Sequence, residues 1–400
     1  NLLINKIGMS YVIFGDLFTF PDGEAATNRV HTYGKGFVSN GKNVHVICFG
    51  NVYTPYIKGD LNGVKFYHPY GQSKRSRYFA VRSWKKILKF IRTFRLVRSI
   101  DRKDKIRGII VYSGLPLTFF FAWFLSRLTK SKLIQEVSEH PLRYYEDGKF
   151  RKMLGDFKLK TESALADGIL CISRFLIDFY TERGFPLHRL MLVPSTVDPQ
   201  RYNVKTERPF RFPYIGYFGM LSFNRDNVDL LVEAFARIAP KYPKMRLVLG
   251  GPEYGNERTG IIRLAENLGV PDRIKLLDYM PREEILKYIV NSDVLVMVRA
   301  NNLKSQASFP SKLTEYLATG RPVISVNVGE ISDYLADGVN AYIVEPGNTD
   351  QLAEKIDYVL TRYDSALETA SRGKELVHKI FNYNYQAKRI IPFIDSLYKV

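Results

Sequence analysis

Short runs of apolar residues alternate with longer segments of helical periodicity along almost the whole chain. Twelve such runs predict strands, which begin near residues 11, 44, 109, 133, 168, 190, 214, 246, 274, 294, 323 and 341. Helical patterns lie between them, for example over residues 228–241, 283–291 and 349–360. Because these strands are apolar throughout, they are typical of parallel sheets that are covered on both faces. The pattern predicts an α/β protein built from doubly wound sheets.

One polar segment, residues 195–214, contains prolines and follows neither periodicity, so it is predicted to link two domains. A chain of 400 residues is also long enough for two domains. We predict a first domain over residues 1–198 and a second over residues 199–382. A C-terminal helix at about 383–400 is expected to pack back onto the first domain. Ligands bind outside the carboxyl ends of strands in such domains, so the two are expected to face a central cleft.

The apolar run at residues 108–130 is long enough to resemble a membrane span. Pro116 and Gly114 interrupt it after its first residues. The pattern favours a buried strand over residues 109–112, followed by a core helix that begins near Pro116.

The net charge of +19 is distributed unevenly. Residues 1–200 contain 32 Lys and Arg against 16 Asp and Glu, whereas residues 201–400 contain 27 against 24. A basic first half indicates an anionic partner, which could be a membrane surface, a nucleic acid or a phosphorylated substrate. Cys48 and Cys171 both lie in apolar runs, which excludes a disulfide scaffold and favours reduced thiols in the cytoplasm.

Residues 74–107 carry much of this charge. An apolar stripe at helical spacing runs through the segment, made of Trp84, Ile87, Leu88, Ile91 and Phe94. Such a helix either touches anionic lipid or packs its stripe on the sheet and leaves a solvated basic rim. We favour a combination, in which the stripe packs on the sheet and the rim is attracted to an anionic membrane.

The stretch "SFPSKLTEYLATGRPVI" predicts a short helix over Ser311–Thr319, since Pro310 suits its start and Gly320 its end. Amide groups and the dipole at a helix start favour an anion, and Lys312 adds charge there. The carboxylate of Glu315, one turn further on, could accept hydrogen bonds from two neighbouring hydroxyls. A diphosphate followed by a ribose would match, and an ordinary amphipathic helix with a solvated Lys–Glu pair is the alternative.

Five segments in the correct order resemble glycosyltransferase family 4, whose enzymes have the GT-B fold of two Rossmann-like domains. They cover residues 171–202 with the motif "VPSTVD", 216–252, 280–298, 308–324 and 337–356. The resemblance implies a retaining transferase that moves a sugar from a nucleotide-diphosphate donor to a glycan or lipid-linked acceptor.

The resemblance also implies residues that bind the donor. Glu315 matches the glutamate that holds the ribose, and Arg225 matches a cation that clamps the diphosphate, although a solvent-facing loop arginine is the alternative. Main-chain groups near the diphosphate and base are implied at Gly219, Tyr279, Ser311, Lys312 and Leu313. Two positions depart from the family pattern: Ala307 stands where a first glutamate contacts the donor sugar, and Met220 replaces an arginine. Polar residues that could substitute for the missing glutamate are Asn301, Asn302, Ser305 and Gln306.

In the first domain, the loop with Gly23 and Glu24 resembles the glycine-containing loop beside the acceptor. Glu139 and His140 follow a predicted strand and are the candidate catalytic residues, with Glu136 nearby. A loop histidine with a structural hydrogen bond is the alternative for His140. Asn28 and Arg29 could face the cleft or could cap and decorate the first helix, and decoration is slightly favoured.

No metal ion and no cofactor is expected. The sequence lacks the D-x-D motif and any Cys/His cluster, and the resemblance implies that cationic residues neutralise the leaving diphosphate. The expected setting is bacterial surface polysaccharide synthesis, in the cytoplasm or on the inner face of the cell membrane, without a nucleic-acid partner. The alternatives are a GT-B nucleotide-sugar epimerase and a non-catalytic protein that binds glycan or nucleic acid.

Overall fold

The computed structural model describes residues 9–141, 148–253 and 255–399 of the chain. The chain divides into two compact units. The first unit comprises Asn1–Thr196 together with Tyr383–Val400, and the second comprises Val197–Asn382. Each unit contains one sheet whose strands are almost all parallel, which confirms the predicted α/β fold with two Rossmann-like domains.

The sheet of the first unit has eight strands in the order β3-β4-β2-β1-β5-β6-β7-β8. Their bounds are β1 Met9–Gly15, β2 Asn43–Cys48, β3 Lys58–Leu61, β4 Val64–Tyr67, β5 Lys105–Tyr112, β6 Lys132–Val137, β7 Gly168–Cys171 and β8 Leu190–Leu192. The helices that connect them are α1 Ala25–Ser39, α2 Phe79–Lys103, α3 Pro116–Thr129, α4 Lys149–Leu165 and α5 Arg174–Thr181. The central strands β1 and β5 are buried almost throughout, as their apolar sequences predict.

The hairpin of β3 and β4 escaped the sequence prediction. Its two strands have only four residues each and pair antiparallel. Asn62 and Gly63 form the turn with φ values of 54° and 81°, and an Asn-Gly pair at positive φ is the usual two-residue hairpin turn. The dipeptide was therefore the available signal for this hairpin.

The second unit has six parallel strands in the order β11-β10-β9-β12-β13-β14. Their bounds are β9 Tyr214–Phe218, β10 Arg246–Gly250, β11 Ile274–Leu277, β12 Val294–Met297, β13 Val323–Val326 and β14 Tyr342–Val344. Its helices are α6 Pro199–Tyr202, α7 Phe223–Asp226, α8 Val228–Ile238, α9 Glu257–Asn267, α10 Arg282–Val290, α11 Leu303–Gln306, α12 Ser311–Thr319, α13 Ile331–Tyr334, α14 Thr349–Thr361 and α15 Tyr363–Leu376.

The last helix, α16 Tyr383–Ser396, returns to the first unit and packs on α1. Gly36 permits this close approach, because a Cβ atom there would lie 2.7 Å from both the Ala387 Cβ and the Tyr383 carbonyl oxygen. Ile390 and Ile394 complete the contact by joining the core of the first unit.

The orientation of α2 corrects the sequence interpretation. The predicted packing stripe faces outward, with Trp84 exposed by 58% and Ile87 by 54%, whereas Lys89, Thr93 and Val97 are buried. Periodicity shows which residues share a helix face but not which face the sheet covers. Within the described residues, no helix has both the length and the apolar character needed to cross a membrane.

Candidate nucleotide-binding site

Helix α12 begins at the carboxyl end of the second unit's sheet, as its sequence predicts. Pro310 precedes it, and Gly320 ends it in the left-handed conformation with φ of 71°. Leu313 and Leu317 anchor the helix because their side chains are fully buried in the core. The amide groups of the first turn, which Ser311 and Lys312 begin, therefore sit at a fixed edge of the sheet.

Lys312 is held inside the site rather than solvated. Its Nζ donates hydrogen bonds to the Tyr217 hydroxyl at 2.7 Å and to Asp226 Oδ1 at 3.1 Å. The ammonium group also lies 4.4 Å from the centre of the Tyr217 ring. Gly219 makes this position possible, because a Cβ atom there would lie 2.4 Å from Lys312 Nζ. Burial lowers the pKa of Lys312, and Asp226 acts in the opposite direction.

Asp226 ends the short helix α7, which follows β9. The Ser222 hydroxyl caps this helix by accepting a hydrogen bond from the Arg225 amide at 3.2 Å. Arg225 extends from the same turn, with its Nε 3.8 Å from Asp226 Oδ2 and 58% of its side chain exposed. The arginine can therefore reach an external anion while it remains close to Asp226.

Arg299 is a third cation in the site, and the sequence interpretation missed it. It follows β12, and its Nη2 donates a hydrogen bond to the Ser308 hydroxyl at 2.7 Å, just before α12. Burial lowers the pKa of Arg299 to about 10, an effect that Asp226 opposes and Arg225 reinforces. Its position directly after a buried strand was the available signal, since the carboxyl ends of parallel strands form the ligand edge of such a sheet.

Three cationic side chains thus interact with the single carboxylate of Asp226. Lys312 and Arg299 are largely shielded from water, and a buried positive charge costs free energy unless negative groups lie nearby. Asp226 supplies only one negative charge, so a further negative group would be favourable here. The amide groups at the start of α12 add further positive potential. This arrangement favours a ligand that brings at least two negative charges.

Glu315 lies one turn beyond Lys312 on α12. Its Oε1 is 3.6 Å from Arg282 Nη2 of α10, and 17% of its side chain is exposed. The arginine orients the carboxylate without enclosing it. Tyr279 comes just after β11, so its main chain lies near the carboxyl end of that strand, and the residue is 73% exposed.

The contacts around Ala307 show which polar side chains could replace the first glutamate of the family motif, which this chain lacks. Asn302 is used as the cap of α11, since its Oδ1 accepts a hydrogen bond from the Ser305 amide at 3.0 Å. Ser305 itself is buried. Asn301 and Gln306 are exposed and bonded to each other at 3.1 Å, so they are the polar groups of this loop that a ligand can reach.

In the first unit, the predicted catalytic residues follow β6. His140 is buried, with its ring centre 6.1 Å from that of Phe175 and 5.1 Å from that of Phe179, while Glu139 is exposed. His140 therefore packs among aromatic side chains, whereas Glu139 remains accessible. Residues 142–147, which follow in the sequence, lie outside the described part of the chain.

Gly23 and Glu24 lie directly before α1 and are both exposed. A Cβ atom on Gly23 would lie 2.1 Å from Thr27 Oγ1, so a larger residue would force the loop away from the helix. The Thr27 hydroxyl fastens the loop by donating to the Thr19 carbonyl at 2.6 Å. Asp16, which sequence analysis did not single out, ties the end of β1 to the loop after β5 by accepting hydrogen bonds from Ser113 and the Gly114 amide.

Arg29 and Glu136 form a buried ion pair, which corrects the expectation that Arg29 decorates the helix surface. The Arg29 Nε lies 2.5 Å from Glu136 Oε1, and Tyr33 donates to Glu136 Oε2 at 2.9 Å. Arg29 also donates to the carbonyl oxygens of Val193 and Pro194 at 2.8 and 3.0 Å. Glu136 is therefore part of the structural framework of the first unit.

No group of three or more His, Cys, Asp and Glu side chains within the described ranges is arranged to hold a metal ion.

Comparison with known proteins finds a family match within the second unit. Residues 200–376 match the family model "Glycosyl transferases group 1". A D-inositol 3-phosphate glycosyltransferase of Corynebacterium urealyticum is 26% identical over 234 residues, which are 54% of this chain and 54% of that protein. The chain spans about half the length of the curated relatives that it matches.

Two solved structures show the fold of the whole chain. A sucrose-phosphate synthase from Thermosynechococcus elongatus superimposes with a TM-score of 0.73 at 17% identity, covering 98% of this chain and 99% of that one. The Anabaena protein HepE, solved in complex with UDP-glucose, gives a TM-score of 0.63 at 13% identity over 96% and 99%. Residues 200–376 therefore resemble a glycosyl transferases group 1 domain, in a chain that shares its fold with GT-B glycosyltransferases.

Proposed function

We propose that this chain is a retaining glycosyltransferase that moves a sugar from a nucleotide-diphosphate donor to a glycan or lipid-linked acceptor. The observation that carries the proposal is that Lys312 and Arg225 lie against Asp226, while Arg299, bonded to Ser308 just before α12, interacts electrostatically with the same carboxylate. A diphosphate would supply the negative charges that these cations lack. Family 4 of the GT-B glycosyltransferases is the proposed relationship.

The same groups account for departure of the diphosphate. As the glycosidic bond of the donor breaks, negative charge grows on the leaving oxygen, and preorganised cations and amide groups stabilise it. We propose that these side chains do so without a metal ion or a cofactor. Glu315 would accept hydrogen bonds from the ribose hydroxyls, and the acceptor hydroxyl would attack from the face that the diphosphate leaves, which retains the configuration.

The acceptor side of the proposal rests on the first unit. Its basic segment, residues 74–107, suits peripheral contact with an anionic membrane, where a lipid-linked acceptor would be found. Glu139 is the accessible candidate to assist the acceptor. We place the protein in bacterial surface polysaccharide synthesis, on the inner face of the cell membrane, with no nucleic acid as partner.

Thermal stability with nucleotides tests the donor site. Wild-type protein and Glu315→Ala are melted with UDP, GDP, ADP and CMP and their sugars, with Glu354→Ala as a control at an exposed glutamate of α14. A ligand at 100 times its dissociation constant stabilises by about 2.7 kcal/mol. We expect the nucleotides of one base to raise the melting temperature of wild type and of Glu354→Ala equally. The increase in Glu315→Ala should be smaller.

The products distinguish the alternatives. Incubation with the preferred nucleotide sugar and extracted membrane lipid should yield a glycosylated lipid by mass spectrometry. Conversion of the sugar without an acceptor would indicate an epimerase instead. Salt-dependent binding to random RNA, without any nucleotide-sugar affinity, would indicate a non-catalytic binding protein.

A further inference from the structure

The first unit exposes a continuous apolar surface on α2 and α3. Its members are large side chains that repeat every three or four residues: Trp84, Ile87, Ile91 and Phe94 on α2, and Leu117, Phe120 and Phe124 on α3. The rings of Phe94 and Phe124 are stacked, with centres 6.3 Å apart and planes at 21°. This contact joins the two stripes, which we call the α2–α3 apolar surface.

The exposure of this surface follows from what α2 buries instead. Lys89 occupies the inward face and is only 8% exposed, with its Nζ bonded to the Phe49 carbonyl oxygen at 2.8 Å and to Asn51 Oδ1 at 2.9 Å. Burying a lysine while leaving a tryptophan and an isoleucine in water is the reverse of the usual distribution. A contiguous apolar patch with a charged rim marks an interaction surface.

The rim of the surface is strongly basic. Residues 74–107 contain fourteen Lys and Arg and two Asp. Four of these cations line a shallow cavity beside Phe94, namely Arg95, Arg98, Arg102 and Lys103. One of the two acidic residues, Asp101, is paired with Lys105 at 2.9 Å, and neither of the two lines the cavity.

We propose that the α2–α3 apolar surface inserts into the interface of an anionic lipid bilayer, with the cavity of Arg95, Arg98, Arg102 and Lys103 on lipid phosphates. A helix of 25 residues with a cationic face and an aromatic and aliphatic face has the character of a helix that lies in a membrane interface. This inference deepens the membrane contact of the proposed function. Membrane binding would then come from burial of apolar side chains in the bilayer as well as from electrostatic attraction.

Charge favours a bilayer over a second copy of the chain. In a two-fold symmetric dimer the same surface faces itself, which would bring the two basic rims together. An anionic bilayer instead accepts the aromatic side chains and neutralises the rim. A nucleic acid would neutralise the rim but would leave the apolar surface in water.

Fluorescence of Trp84 tests insertion directly. The chain has two tryptophans, so Trp123→Phe leaves Trp84 as the sole fluorophore. We expect vesicles of phosphatidylglycerol and phosphatidylcholine to shift its emission to shorter wavelength, and brominated acyl chains to quench it. Emission that stays unshifted and unquenched while the protein sediments with the vesicles would overturn insertion.

Matched substitutions separate the apolar and basic contributions. Ile87→Asn is compared with Ile262→Asn, because the two isoleucines lie on helices and are 54% and 48% exposed. We expect the first to weaken vesicle binding at least fivefold and the second to leave it unchanged. One cation near an anionic surface contributes about 1 kcal/mol of binding free energy, so Arg98→Gln should weaken vesicle binding about fivefold at low salt. The loss should be smaller at high salt, because salt screens the attraction.

Two further measurements keep the inference separate from the donor site. Nucleotide-induced stabilisation should be the same in Ile87→Asn and in wild type, so loss of lipid binding alone leaves the proposed transfer chemistry standing. Light scattering should show the same mass for both proteins. A larger mass that Ile87→Asn abolishes would assign this surface to self-association and overturn the proposal.

Discussion

The Nζ of Lys312 lies 3.1 Å from Oδ1 of Asp226, although 86 positions separate the two residues in the sequence. Asp226 serves as the counterion of a site that also contains Arg225 and Arg299. One carboxylate cannot balance three cations, so the pair keeps Lys312 in position and leaves the site attractive to anions. Four predictions follow from this relationship and from the buried charges of the first unit.

Removing the counterion should lower the stability of the ligand-free protein and enlarge the stabilisation that a ligand produces. Asp226→Asn leaves the buried ammonium of Lys312 without its charge partner, which costs about 3–5 kcal/mol in comparable buried pairs. We expect a lower melting temperature and a larger nucleoside diphosphate-induced increase than in wild type, measured by thermal shift. Asp333→Asn, at an exposed position, is the control. An unchanged ligand response would contradict the counterion role.

Arg299 should contribute to diphosphate affinity. Loss of a charged hydrogen bond costs about 1.5–3 kcal/mol, so Arg299→Met should weaken nucleoside diphosphate binding about tenfold or more. Calorimetric titration measures this loss, and the nucleoside without phosphates should bind the variant and wild type alike. Arg263→Met, at an exposed arginine of α9, should bind like wild type. Equal weakening for the nucleoside would show that Arg299 only supports the fold.

Removing one partner of the buried pair of Arg29 and Glu136 should strongly destabilise the first unit. Glu136→Gln leaves the guanidinium of Arg29 unbalanced and should lower the free energy of unfolding by about 3–5 kcal/mol. Both tryptophans, Trp84 and Trp123, lie in this unit, so fluorescence during urea unfolding reports on it. Asp395→Asn breaks a partly exposed ion pair with Arg107 and should cost at most about 1 kcal/mol. Similar losses for the two variants would be inconsistent with this difference.

The buried lysine of α2 should make stability depend on pH. Burial lowers the pKa of Lys89 to about 8, whereas an unfolded lysine has a pKa of about 10.5, so the unfolded state holds more protons between these values. The free energy of unfolding of wild type should therefore rise relative to Lys89→Met as the pH increases from 7 to 9.5. The expected difference is about 2 kcal/mol. Urea unfolding of both proteins at the two pH values measures this difference. If the stability of wild type and of Lys89→Met changed with pH in the same way, the pKa of Lys89 would not be lowered by folding.

The strands and helix α12 could be predicted because their signals are local. A buried parallel strand is apolar along its whole length, so β1, β5, β9 and β12 stand out without any knowledge of their neighbours. Pro310 and Gly320 bracket α12 for equally local reasons. The short hairpin of β3 and β4 was missed because four-residue strands carry little pattern beyond the Asn-Gly turn.

The part of the site that escaped prediction depends on contacts between distant segments. Arg299 acquires its role from Ser308, in the same connection between β12 and β13, and from Asp226, in the connection between β9 and β10. Glu136 resembled a catalytic carboxylate because it lies near the carboxyl end of β6, yet its partner Arg29 is 107 positions away. A single sequence contains the charges but not their pairing.

The sequence by itself determined that the chain forms two α/β units, where α12 begins and ends, and that the first half is basic. These properties follow from backbone geometry, periodicity and composition, each of which acts over a few residues. Only the tertiary structure decided that Lys89 is buried while Trp84 is exposed, and that Arg225, Arg299 and Lys312 share one carboxylate. The physical reason is that burial and Coulomb interaction depend on distance in space, which the folded arrangement of the sheets and helices sets.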